Sequence, residues 1–446
     1  MSHHVFKRDL TKDYPIASYG DGVYIVAQGG RRVLDACGGV VAVSLGYNNK
    51  FIKDRMKAQI DKLCFTHTGA FINKPIIELS DKIMSKLTSE FGKAYFVSGG
   101  SEANETAIKL ARQYWHDNGE KKKSKIVSRM MSFHGSSLGV LALAGNPGRQ
   151  KLYAPMLKKQ PKASPHYCYR CPYGKSEGNC SLECANSLEK IIQKEGKDKI
   201  AAFIAEPVVG ASCCGAEGSK EYFKRIRQIC DDNEVLLILD EVMSGIGRTG
   251  KLFAAEHYDI IPDIFTLGKG LSSGYMPLAA MVCKDKIASG ISKGVFTHGF
   301  TFSGHALAAE AGNAVLDYID EENLLVKAGY GSDYLFKRLE EMKEKYSYIG
   351  DVRGLGHMAG IEFVKDKVTK DPFPEVLNLT AKIKDECWKN GMLIFAGTRM
   401  KVNVEGNEVE QGDHLMLAPH LITTRSELDT ILDIFETSMR NVMGDN

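Results

Sequence analysis

Lys269 stands between two glycines, Gly268 and Gly270, directly after the apolar run Ile264-Phe265-Thr266-Leu267. Packing explains such a lysine poorly. It is either a solvated turn residue or an amine presented for chemistry. Asp240 closes a second apolar run, Leu236-Leu237-Ile238-Leu239. That position puts a carboxylate at the carboxyl end of a sheet, where open α/β sheets bind ligands. A third feature, Ser98-Gly99-Gly100-Ser101-Glu102-Ala103-Asn104, follows the run AYFV and leads into the helical pattern ETAIKLARQYW. Its glycines allow close backbone approach, and the free N–H groups of a helix start suit a phosphate. Alone, a Ser-Gly turn before a helix is often only an N-cap. Together the three features are the parts that pyridoxal phosphate (PLP) requires: a lysine for a Schiff base, an acid to hold the pyridine nitrogen protonated, and a phosphate site. Phe133, in Ser132-Phe133-His134-Gly135 after the run KIVS, is placed either to stack on such a ring or to pack in the core.

These residues need a sheet to carry them. Between residues 94 and 285 the short apolar runs AYFV, KIVS, AAFIAE, LLILDE, DIFTLG and LAAMVC alternate with helical patterns. Such alternation predicts a mostly parallel sheet covered by helices. The first fifty residues read as strands and turns, and the pattern turns helical from Phe51. Lys74 to Leu87 carries apolar residues at three and four spacing. A long helix is expected after residue 310, then an α+β section ending in a helix near Leu428 to Val442. The predicted architecture is α/β, with a large domain at 51–310 and a smaller α+β domain built from 1–50 and 311–446.

The chain has 446 residues, enough for two domains around a large core. Hydrophobic residues are 43% and charged residues 25%, the balance of a soluble globular protein. A net charge of +3 with dispersed basic residues argues against nucleic-acid binding. No apolar stretch reaches membrane-spanning length, and the start MSHHVFKRDL lacks an apolar signal core. Eleven cysteines without a secretory signal fit a reducing cytoplasm. The segment Gly245-Ile246-Gly247-Arg248-Thr249-Gly250 matches the dinucleotide pattern G-x-G-x-x-G. Four residues separate it from Asp240, whereas a nucleotide-binding turn follows its strand at once. Nicotinamide chemistry is therefore not expected.

Over nearly its whole length the chain resembles the class III, or ω-amino group, aminotransferases of PLP fold type I. The resemblance rests on SGGSEANETAIKLAR, SFHGSS, FIAEPV, LLILDEVMSGIGRTG, PDIFTLGKGLSSGYMPLAA and HGFTFSGHALAA, in that order and spacing. It implies that Lys269 is the Schiff-base lysine and the proton shuttle of the 1,3-transfer, and that Asp240 pairs with the ring nitrogen. It implies that Gly100 and Ser101 bind the phosphate, that Phe133 and Val242 sandwich the ring, and that His134 and Glu206 line the cofactor site. Thr301 would reach the phosphate of the neighbouring subunit, which implies an obligate homodimer, with assembly into a tetramer left open. The implied reaction transfers an amino group from an ω- or β-amino donor to a 2-oxo acid, pyruvate or 2-oxoglutarate. Another PLP reaction on the same fold, an aminomutase or a decarboxylase, is the alternative.

Two stretches depart from the family. Relatives that use amino acids carry a carboxylate-binding arginine shortly before a Pro-Pro-Leu segment near the C-terminus. Here the stretch reads Leu415-Met416-Leu417-Ala418-Pro419-His420-Leu421, and Met416 takes the arginine's place. A thioether cannot pair with a carboxylate. Arg399 is the expected substitute, against the alternative of a surface arginine. Met243 also stands where many relatives have a glutamine bonding the cofactor's 3-hydroxyl. The second departure is Cys168-x2-Cys171-x8-Cys180-x3-Cys184. Four cysteines at this spacing could hold a structural zinc, or could be free thiols in a surface excursion. A similar cysteine-bearing segment occurs in taurine and β-amino acyl-CoA transaminases. Taurine, β-alanine, a diamine or a β-amino acyl thioester is therefore the expected type of donor.

Overall fold

The computed structural model describes residues 4–444. Its central sheet has seven strands: β1 (Phe91–Val97), β2 (Lys125–Arg129), β3 (Lys162–Ala163), β4 (Ile200–Ala205), β5 (Leu236–Asp240), β6 (Ile264–Leu267) and β7 (Ala279–Lys284). They lie in the order β1-β7-β6-β5-β4-β2-β3. β7 is antiparallel to both its neighbours, and every other pair is parallel. Every residue of β4, β5, β6 and β7 is buried. Parallel strands covered on both faces need apolar side chains on both, which is why these segments read as unbroken apolar runs.

Helix α1 (Gly100–Asp117) packs along the sheet through Ala103, Ala107, Leu110 and Ala111, at three and four spacing. The smaller α+β part draws on both chain ends. Arg32–Asp35 pairs antiparallel with Tyr24–Ala27 and takes Met392–Leu393 in parallel on its other edge. A second small sheet holds Ile349–Leu355, Met358–Phe363, His414–Leu417 and Phe395–Ala396. Its core includes Leu335, Leu339, Ile383, Ile431 and Phe435 from the surrounding helices. The last helix begins at Arg425, earlier than its apolar spacing suggests, because Thr424 and Glu427 form a capping box ahead of that spacing. Among the described residues no helix is long and apolar enough to cross a membrane.

Candidate active site

β5 and β6 are parallel neighbours, and Asp240 is the register partner of Thr266. Asp240 and Lys269 therefore leave the sheet side by side at its carboxyl edge. Both line one cavity of about 340 Å³, together with Gly100, Ser101, Phe133, His134, Glu206 and Val242. With Met243, which lines it too, nine of the residues singled out by sequence share a single concavity.

The Asp240 carboxylate is almost fully buried and held by three donors. Asn104 Nδ2 and His134 Nδ1 each lie 2.8 Å from Oδ2, and the Val242 amide lies 3.1 Å from Oδ1. The Thr266 hydroxyl, 3.4 Å from Oδ1, gives its one hydrogen to Asn104 Oδ1 at 2.7 Å and so orients the Asn104 amide. This cage fixes the carboxylate's direction. The buried His134 Nε2 has no hydrogen-bond partner within the protein.

Lys269 adopts a left-handed backbone, with φ of 44°. A non-glycine residue meets strain there, and such strain gathers at functional sites. Its Nζ donates to the carbonyl of Val40, which reaches over from the N-terminal segment. Burial pulls the amine down to about 8, helped by the positive charge of Arg248 and opposed by Asp240 and Glu206. An amine so shifted is a nucleophile near neutral pH.

The start of α1 forms a cradle. Its N-cap, Gly99, offers no side-chain cap, so the first helix amides are left for another acceptor. A Cβ on Gly100 would come within 2.6 Å of Val242 Cγ1, and one on Gly135 within 2.6 Å of Ser101 Oγ. The Ser136 amide donates to that Oγ at 3.1 Å. Phe133 and Val242 line the same cavity. The amide of Phe133 donates to Glu206 Oε1 and that of Gly210 to Oε2, each at 3.0 Å, and burial pushes the Glu206 carboxyl above its usual range. Amine, carboxylate and glycine-lined helix start suit the aldehyde, ring nitrogen and phosphate of PLP.

Comparison with known proteins agrees. The family model described as Aminotransferase class-III matches residues 8–439. This chain belongs to the class III aminotransferases. An uncharacterized aminotransferase of Bacillus subtilis is 34% identical over 99% of this chain and 98% of its own length. The diaminobutyrate–2-oxoglutarate transaminase of Halomonas elongata is 34% identical, covering 95% and 89% respectively. The PLP-bound amine transaminase from an uncultivated Pseudomonas superposes with a TM-score of 0.90 at 30% identity, covering 99% and 98% of the two chains. The class III aminotransferase described here is thus a PLP-dependent transaminase of fold type I.

Two residues expected at the substrate, Arg399 and Met416, do not line the cavity. Arg399 lies outside the cavity. Its guanidinium pairs with Glu410 and, at 3.7 Å, with Asp413, and donates to the Phe373 carbonyl at 2.7 Å. It is a pinned structural arginine. Met416 is fully buried behind the cavity, in a cluster with Val41, Met243 and Met358. Its register partner Phe395 lines the cavity in its stead. The four cysteines Cys168, Cys171, Cys180 and Cys184 are free thiols. Among the described residues no group of three or more His, Cys, Asp or Glu that could hold a metal ion is found, so of the two readings of this segment a structural zinc is not shown. The cysteine segment is held by charge instead: Arg170 Nε meets the buried Glu362 at 2.6 Å.

Thr301 is exposed and does not line the cavity of its own chain. The G-x-G-x-x-G segment has a structural task. Arg248, buried within it, donates to the carbonyls of Ala418 and Pro419 and so locks the stretch that replaces the family's arginine motif. Sequence reasoning missed Asn104, Arg8, Arg149 and Phe395. Asn104 sits within the turn already singled out, whereas the other three carry no local signal.

Proposed function

We propose that this aminotransferase moves an amino group from an ω- or β-amino donor to a 2-oxo acid, pyruvate or 2-oxoglutarate, in two alternating half-reactions. The donor is of the taurine, β-alanine, diamine or β-amino acyl thioester type. The observation that carries the reading is the pairing of Lys269 and Asp240 on adjacent strands in a cavity that Met416 leaves without a C-terminal arginine. The diaminobutyrate relative, named for a substrate with two amino groups, supports an amine of this kind.

When bound, PLP supplies a ring that takes up the electrons left as the substrate's Cα–H bond breaks. The rest falls to the chain. Lys269 provides the amine that holds the cofactor and then moves the proton at the substrate carbon. Asp240, aimed by Asn104 and His134, holds the proton on the ring nitrogen. Gly100 and Ser101 take the phosphate at the helix start, and Phe133 and Val242 close on the ring's two faces. Glu206 borders the substrate's side of the cavity. Thr301 serves the phosphate of the partner subunit, so the working unit is a cytoplasmic homodimer.

A matrix of amines and 2-oxo acids tests this. Cofactor absorbance should change when the donor is added alone and return when the acceptor follows, with one 2-oxo acid consumed per amine transferred. Carbon dioxide release, or a rearranged amine formed without 2-oxo acid consumption, would refute it.

A further inference from the structure

Two arginines that the reaction has not yet used line the cavity: Arg8, from the N-terminal segment, and Arg149. Among the described residues neither forms an ion pair, and the buried Nε of Arg149 has no hydrogen-bond partner. Arg8 is exposed and Arg149 half-buried, so it is Arg149, partly stripped of water and matched by no carboxylate among the described residues, that is left open to an anion entering the cavity. The neighbouring carboxylate does not supply it, because both oxygens of Glu206 already accept backbone amides.

The position of Arg149 is well defined. Its guanidinium carbon lies 4.5 Å from the centre of the Phe133 ring. Its own amide donates to Asn146 Oδ1 at 3.3 Å, at the cap of the short helix Pro147–Gln150. Gln150 ties that helix down through the Leu141 carbonyl at 2.8 Å. The cation is thus held against the aromatic residue assigned to the cofactor face. Other arginines nearby are engaged elsewhere. Arg248 serves main-chain carbonyls, Arg129 donates to the Glu206 carbonyl, Arg353 pairs with Glu362 and Arg399 pairs with Glu410.

We propose that Arg149, assisted by Arg8, binds the carboxylate of the 2-oxo acid acceptor. The proposal rests on the transamination reading above and names the residues that recognise its second substrate. A guanidinium offers two parallel N–H donors that match a carboxylate, and stacking on Phe133 leaves that fork free to face the cavity. The specificity device that the family builds at its C-terminal strand is here carried by the loop that follows the Phe133 segment.

The test separates the two half-reactions of the holoenzyme. Arg149→Met keeps the stacking length without the charge, Arg149→Lys keeps the charge without the fork, and Arg8→Ala removes the second cation. With 1-phenylethylamine as a carboxylate-free donor, the KM for pyruvate should rise about 10- to 100-fold in Arg149→Met, the range of a charge-assisted hydrogen-bond pair. It should rise less in Arg8→Ala and recover in part in Arg149→Lys. The half-reaction with 1-phenylethylamine, and the KM for propanal as an acceptor lacking the carboxylate, should change by less than about threefold. Competitive inhibition by propionate, a non-reacting carboxylate, should weaken in step with the pyruvate effect. Equal damage to pyruvate and propanal would overturn the proposal and make Arg149 a packing residue. An unchanged pyruvate KM would overturn it outright. A wild-type enzyme that accepts no 2-oxo acid from any amine would refute the transamination reading itself, and the proposal with it.

Discussion

Lys269 should capture its cofactor at a pH where an ordinary lysine could not. Burial brings its amine to about 8, against 10.5 for a free lysine side chain. That difference is worth about 3 kcal/mol against the ammonium form. The sign follows from the direction of the shift: below about 8 the amine is protonated and inert, and above it the free base attacks. At pH 7 about a tenth of the molecules then carry a free amine, compared with fewer than about one in a thousand for an unperturbed lysine. The assay is covalent capture of PLP by cofactor-stripped enzyme, trapped with borohydride and counted by mass at successive pH values. The rate should climb with pH and level off above about 8. Asp240→Asn provides the second perturbation. Asp240 is the strongest of the groups favouring the ammonium form, so its loss should move the midpoint below 8 and speed capture at neutral pH. Turnover of the same variant should fall by more than about tenfold, equivalent to about 1.4 kcal/mol of barrier, because an amide cannot hold the proton of the ring nitrogen. A midpoint near 10, or one that rises in Asp240→Asn, would refute the electrostatic account of this amine. A turnover loss below tenfold would refute the role of Asp240.

Further outcomes are expected. Lys269→Ala should lose both covalent capture and steady turnover, since among the described residues no other amine lines the cavity, and wild-type turnover in the variant would contradict the assignment. Thr301→Ala should release PLP faster from the assembled protein, and sedimentation that found a fully active monomer would contradict a shared site. Glu362→Gln should destabilise the protein by about 3–5 kcal/mol in urea at neutral pH, because it takes the carboxylate partner from Arg170 and leaves Arg353 to Asp351 alone. Those two arginines hold the Glu362 carboxyl at about 2, below its usual 4.5, so its contribution is complete above 4.5 and is lost as pH falls towards 2. The variant should lack that component of acid sensitivity, and an acid profile identical to wild type would count against the network.

The central sheet was legible because its chemistry is local to each strand. The run IAAFIA is apolar throughout and lies buried throughout as β4, and LLILD ends on a carboxylate that leaves the sheet as β5 ends. Relations between strands were not legible. Nothing in LAAMVC distinguishes the antiparallel β7 from its parallel neighbours, since burial on both faces asks for the same residues in either direction. The two-residue strand Lys162–Ala163 is too short to show a period. The pairing of Met392–Leu393 with Arg32–Asp35 joins segments far apart in sequence, which no window of the chain contains.

The site divides along the same physical line. Lys269, Asp240 and Gly100 announce themselves through their immediate neighbours, because a strand end and a helix start fix where a side chain points within a few residues. An arginine's task depends on partners that sequence distance conceals. Arg399 reads as available in the sequence, but Glu410 and Asp413 stand beside it, and the structural task of Arg248 shows only in its carbonyl partners, far along the chain. Arg149 lies in a four-residue helix with no periodicity to read, and its significance lies in having no ion-pair partner among the described residues. Arg129, Arg248, Arg353 and Arg399 are each engaged within the protein, whereas Arg8 and Arg149, without an ion pair among the described residues, line the cavity. A half-buried cation such as Arg149, held on Phe133 beside the reacting centre, is placed to be completed by a substrate carboxylate. The chain's departure at Met416 and its unpaired Arg149 are then one adaptation: the carboxylate-binding group has moved from the C-terminal strand to the other side of the cavity.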